Sequence, residues 1–144
     1  MSQQFNLVVI QPFAVLEATM VIEENGASDP FKLRIREDAE FIVTHVDVDI
    51  YDQSGRLNDT AHAPFTVALR NTTQNSDFQN MPFSANALRN LSQSRHFNMM
   101  QFSGNQEIEL TASHDVFCTN NTQVPPYLVR VTFIGFYARY QSVQ

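Results

Sequence analysis

The sequence predicts an all-β fold: an antiparallel β-sandwich or jelly roll with one long irregular segment and at most one short helix. Three features carry that expectation. Apolar side chains recur at every second position in several runs, the period at which a half-buried strand shows one face to a core. Turn residues punctuate those runs. The C-terminal part has the layout of a closing sandwich: a strand-like run at 102–111, a polar loop at 119–123, a Pro125-Pro126 pair and a hydrophobic strand at 127–137. Seven or eight short strands with little helix are the pattern of such folds.

Taken in order, residues 5–10 read as a first strand that Pro12 interrupts. Ala14, Leu16, Ala18, Met20 and Ile22 then alternate with Glu17, Thr19 and Glu23, which predicts a half-buried strand ending at the turn Glu24-Asn25-Gly26. Phe31, Leu33 and Ile35 face a core while Lys32, Arg34 and Arg36 face outward. In 41–51, Ile42, Thr44, Val46, Val48 and Ile50 are expected on one face and His45, Asp47 and Asp49 on the other. Residues 53–56 form the next turn. Phe65, Val67 and Leu69 mark a strand at 64–70.

Between 71 and 98 the period fails. Residues 71–77 read as a polar loop, and 84–91 as one short helix with Ser84 as its cap. The segment still carries Phe78, Met81, Phe83, Leu88, Leu91, Phe97, Met99 and Met100. That is too much apolar content for a disordered linker. These eight residues are therefore the expected interface set, packed on the sandwich or on a neighbouring subunit. Strands resume from 99 to 110 and from 127 to 140.

The length of 144 residues predicts a single domain, 1–144, with enough chain to bury a core. Charged residues are 17%, below the usual share, whereas apolar content is near normal. Asn and Gln make up the polar balance. Neutral amides meet a protein partner with less desolvation cost than charges do. The net charge of −6 argues against nucleic acid and against an anionic membrane surface. One cysteine, Cys118, excludes an internal disulfide and reads as an inert buried thiol. The first residues lack the basic and apolar regions of a signal peptide, and no run approaches the roughly 20 apolar residues of a membrane-spanning helix. Folding in a cytoplasm is the expectation.

Chemical equipment is sparse. The four histidines, His45, His62, His96 and His114, do not pair at metal-ligand spacing. His45, Asp47 and Asp49 share a strand face and come nearest to a cation site, though a solvated strand face is the ordinary reading. Ser113-His114-Asp115 has the letters of a hydrolase relay, but adjacent residues on an extended chain point to opposite sides. With four glycines and no phosphate-binding motif, no cofactor is expected. No metal and no catalytic residue are assigned. A carbohydrate-binding sandwich would use Tyr137, Tyr140 and nearby Asn residues.

Residues 64–70, Met81-Pro82-Phe83, Arg95-His96-Phe97, 104–110 and 125–136 together resemble small virion structural proteins of tailed bacteriophages. The resemblance spans about 64–137 and lies in spacing and polarity. It implies a non-enzymatic virion protein made in the bacterial host cytoplasm. The first form is an oligomeric capsid decoration or minor capsid protein that stabilises the head lattice. The implied partners are further copies of the chain, a trimer favoured, and the major capsid protein or other virion proteins. A head-tail joining or tail accessory component is the alternative within that group. On the interface reading, Phe83→Ala or Phe97→Ala should weaken assembly by several kcal/mol in a sedimentation assay, as truncation of an anchor does. Normal assembly of both variants would contradict it.

Overall fold

The computed structural model describes residues 4–51, 63–77, 83–92, 100–116 and 125–143. They form nine strands and one helix: β1 (Gln4–Ile22), β2 (Phe31–Arg34), β3 (Glu40–Tyr51), β4 (Phe65–Asn71), β5 (Ser76–Asp77), β6 (Phe83–Ser84), α1 (Ala85–Ser92), β7 (Met100–Phe102), β8 (Glu107–His114) and β9 (Tyr127–Val143). All strand pairs are antiparallel. One sheet has the order β1-β9-β3-β7 and the other β2-β8-β4-β5, with β6 also on β4. The all-β sandwich expected from the sequence is therefore the fold.

The pairing follows one scheme. β1 pairs with β9, β2 with β8, β3 with β7, and β4 with β5 and β6. These pairs make one long folded hairpin. Wrapping that hairpin on itself adds β3 beside β9 and β4 beside β8. The two resulting sheets face each other across a single core.

Alternation decides which side chains enter that core. β9 contributes Tyr127, Val129, Val131 and Phe133; β3 contributes Val46, Val48 and Ile50; β1 contributes Ala14, Ala18, Met20 and Ile22. The opposite sheet supplies Leu33, Phe65, Val67, Leu69, Ile108, Leu110 and Ala112. At one end, Phe41 stacks at 6.3 Å on Phe102 and meets Tyr137 edge-on at 5.1 Å, while Phe102 meets Phe133 edge-on at 5.3 Å. Such pairs add roughly 0.5–1.5 kcal/mol each beyond the area they bury. α1 begins as expected: the Asn86 amide donates to Ser84 Oγ at 3.2 Å.

The structure corrects the sequence reading in three places. Pro12 does not end the first strand. β1 runs through it, and the pairing with β9 shifts register between Val9 and Ala14. A proline is tolerated there because β1 is an outermost strand and the irregularity absorbs the missing donor. On β3, Ile42 and Thr44 do not share a face with Val46. A register shift between Val43 and His45 turns Phe41 and Val43 inward before it, and Val46 inward after it. Thr44 is exposed and its hydroxyl donates to the Ile134 carbonyl at 3.1 Å. Finally, the run at 102–111 is two strands in different sheets. Asn105 turns the chain at φ 58, and Gly104 sits against the Ala39 carbonyl.

Of the described glycines, Gly135 sits closest to neighbouring main chain. A Cβ there would lie 1.9 Å from the Ile42 carbonyl oxygen and 3.1 Å from Val43 Cα, both main chain. No rotamer change relieves a collision with backbone. Gly135→Ala should therefore force β3 away from β9 and destabilise the fold by about 3 kcal/mol or more in urea titration. A loss near zero would show that the approach is looser than described.

Candidate functional site

The outer faces of the two sheets differ in kind. On the β2-β8-β4 sheet, Lys32, Glu109 and Arg70 stand side by side, as do Arg34 and Glu107. Lys32 Nζ lies 4.0 Å from Glu107 Oε2, and the Arg34 guanidinium donates to Asn105 Oδ1 at 2.8 Å. This is an ordinary solvated face.

The outer face of the β1-β9-β3 sheet is arranged in cross-strand rows. Val15, Ile134 and His45 form one row; Glu17, Thr132 and Asp47 the next; then Thr19, Arg130 and Asp49; then Val21, Leu128 and Tyr51. Apolar rows thus flank a short charged centre. Arg130 organises that centre. It donates to Asp49 Oδ2 at 2.8 Å through Nη2 and at 3.2 Å through Nε. Its Nη1 is 3.7 Å from Glu17 Oε1, and its guanidinium carbon sits 5.3 Å from the Tyr51 ring centre. The hydrogen bonds that Arg130 donates to Asp49 raise the Arg130 pKa above its already high value.

Two members of the His45, Asp47 and Asp49 row have partners within the chain. Asp49 accepts from Arg130, and Asp47 Oδ1 accepts the Val48 amide at 3.1 Å. Among the described residues no group of three His, Cys, Asp or Glu side chains is placed to hold a metal ion. The Ser113-His114-Asp115 triplet also has a structural use. His114 Nδ1 lies 2.7 Å from the Tyr127 hydroxyl, which donates at 3.4 Å to the Pro64 carbonyl. The Asp115 amide bonds to the Pro64 carbonyl at 2.7 Å. The triplet pins the end of β8 to the core.

The eight interface candidates fare unevenly. Leu88 is buried in this chain's own core, and Met100 is half-buried against it. Phe83 and Leu91 lie in β6 and α1, but their side chains are outside the description, as are Phe78, Met81, Phe97 and Met99 altogether. Cys118 and the turn at 53–56 are outside it too.

A different apolar set is exposed. Leu7, Val9, Phe13, Val15 and Val21 lie on β1, and Tyr140 pairs opposite Leu7. Phe13 is 66% exposed. They make up all but one of the exposed large hydrophobics among the described residues, the other being Val116. The signal was present in the sequence as apolar residues at 13, 15 and 21, on the face that Glu17 and Thr19 marked as polar. Beyond Ala138, β9 pairs with β1 alone, so Leu7 and Tyr140 stand on a two-stranded ribbon extending past β3. Beside the other end of β1, a shallow cleft of about 210 Å³ is lined by Thr19, Met20, Val21, Glu23, Asp29, Pro30 and Phe31.

The two tyrosines of the carbohydrate reading separate. Tyr140 is exposed, but Tyr137 is buried beneath the Arg36 guanidinium at 5.4 Å, and burial raises its pKa. Among the described residues no helix is long and apolar enough to cross a membrane. No protein-family model, curated protein or solved structure matches this chain.

Arg36 also makes a two-pronged contact with Asp38, Nε and Nη2 each donating at 2.9 Å to separate oxygens. Those hydrogen bonds hold the Asp38 carboxyl below its usual value of 3.8. A carboxyl lowered on folding supports the fold above its unfolded pKa, and that support fades as pH falls through the folded value. Arg36→Ala should return the Asp38 titration towards 3.8, followed by carboxyl-carbon NMR. An unchanged midpoint would remove Arg36 as the cause.

Proposed function

We propose that this chain is a non-enzymatic virion structural protein of a tailed bacteriophage. In this reading it is an oligomeric capsid decoration or minor capsid protein that binds the head lattice and reinforces it. The observation that carries the proposal is the exposed apolar set on β1 and its ribbon, on a sandwich whose other outer face is charged. Apolar side chains on a sheet surface are a liability for a free monomer and ordinary at a protein interface.

The strand order adds to it. A hairpin rolled into β1-β9-β3-β7 and β2-β8-β4-β5 supports reading the sandwich as a jelly roll, an architecture of viral capsid and lectin domains. We assign the chain to that architecture. The partners in this reading are other copies of the chain and the major capsid protein, and the location is the virion. Head-tail joining is the alternative role and would use the same surface. The lectin side of the jelly-roll group keeps a carbohydrate-binding reading in play through Tyr140, without the buried Tyr137.

Leu7, Val9, Phe13 and Tyr140 are assigned to the contact with the capsid lattice. Phage particles purified from the culture that produces this chain should carry it, detected by immunoblot across a density gradient. Phe13→Ser should reduce the amount on particles while changing stability by no more than about 0.5 kcal/mol, as for other exposed positions. Particles free of the chain would overturn the virion reading. Undiminished loading of the variant would move the contact away from β1.

A further inference from the structure

We propose that residues 14–22 of β1 pair edge to edge with the same segment of a second copy of this chain, across a two-fold axis. The proposal does not depend on the virion reading. It begins from the edge of β1, beyond which no described strand pairs. β1 is the outermost strand of its sheet, and from Ala14 to Ile22 its pairing with β9 runs without a register shift. The other described edge strands are short: three residues in β7, four in β2, two each in β5 and β6. A long edge offers a row of backbone donors and acceptors to any strand that can lie beside it. Pro12, which would interrupt such a row, lies outside the segment.

The occupant follows from the sequence of the segment. An isologous contact opposes residue i to j and j to i. With the axis at Ala18, Val15 meets Val21, Leu16 meets Met20, Glu17 meets Thr19 and Ala14 meets Ile22. Every one of these pairs joins residues of the same parity, so inward side chains meet inward ones and outward meet outward. Val15 and Val21, 45% and 42% exposed, then cover each other at both ends of the pair. The hydroxyl of Thr19 and the carboxylate of Glu17, already 3.4 Å apart within one chain, face their counterparts across the axis.

Neighbouring registers are worse. An axis at Glu17 sets two carboxylates directly opposite each other, and one at Thr19 sets Val15 against Glu23. Like charges opposed across strands are destabilising, and the valines lose their apolar partners. The segment itself carries little charge. The chain carries −6 overall, so two copies repel in most orientations. Glu17 is the one charged residue in the segment, and Arg130 stands 3.7 Å from it. The result is a single eight-stranded sheet across two chains. A two-fold pair closes at two copies, in contrast to the trimer favoured from the sequence.

The test is solution mass by light scattering coupled to size exclusion over a dilution series. The wild type should give about 33 kDa, twice the 16.4 kDa chain. Val15→Lys with Val21→Lys places lysine opposite lysine at both ends and should weaken the pair by roughly tenfold or more. Val15→Lys with Val21→Glu places opposite charges together and should restore it. The two double variants perturb the monomer alike, so restoration by the second separates a broken interface from a broken fold. A wild-type monomer or trimer, a dimer indifferent to the two lysines, or failure of the charge pair to restore it would each overturn the proposal.

Discussion

The whole arrangement hangs on β9. It pairs with β1 over its full length and with β3 over most of it, so it is the strand through which the first sheet is held together. The close approach at Gly135 is where that double pairing is most constrained. The main chain of β3 occupies the space a side chain would take, and the register of β3 shifts at that same point. Because of the shift, Phe41 and Val43 face the core on one side of it, and Val46, Val48 and Ile50 face the core on the other. The central position of β9 also fixes what is left over. β1 becomes an outer strand of 19 residues, with one edge and one face not used by the core.

That leftover surface carries most of the exposed large hydrophobics among the described residues. The second sheet shows water an alternation of Lys, Arg and Glu, the normal means of keeping a sheet surface solvated. The first sheet gathers Glu17, Asp47, Asp49 and Arg130 into a middle band, with Val15 and Ile134 on one side and Val21 and Leu128 on the other. Arg130 pairs with Asp49 and approaches Glu17, so part of the band's negative charge is compensated within the chain. Partially exposed ion pairs of this sort contribute modestly to stability. Their consequence here is to offset some of the negative charge on the surface of an acidic chain.

Much of the fold was legible because local chemistry and tertiary context agreed. Leu33 between Lys32 and Arg34, Phe65-Val67-Leu69, and Ile108-Leu110-Ala112 each follow the strict period of a half-buried strand. Gly26 takes φ 86 in the turn that its neighbours signalled, and Ser84 caps α1. The misses occurred where pairing overrode local pattern. Pro12 reads as a stop until β1 is known to be an outer strand. Residues 41–43 are apolar at both parities, so the phase change on β3 is invisible without β9. The partition of 102–111 into two sheets depends on one left-handed residue, Asn105, whose conformation alternation does not report. The candidate site was less legible. Apolar content in the irregular segment looked like an interface, yet Leu88 completes the core. Val15 and Val21 interrupt the polar face of an amphipathic strand, and only the sheet order shows that β1 is outermost among the described strands.

The central claim is that β1 presents an edge and face meant for a protein partner while β9 carries the fold. Amide hydrogen exchange read residue by residue, at high and low protein concentration, tests both halves at once. The account predicts that β9 amides are the slowest in the chain at either concentration. It also predicts that the outward-pointing amides within 14–22 are protected when concentrated and lose protection on dilution. Outward β1 amides that exchange at open-strand rates at every concentration, or β9 amides no slower than those of β2, would contradict it.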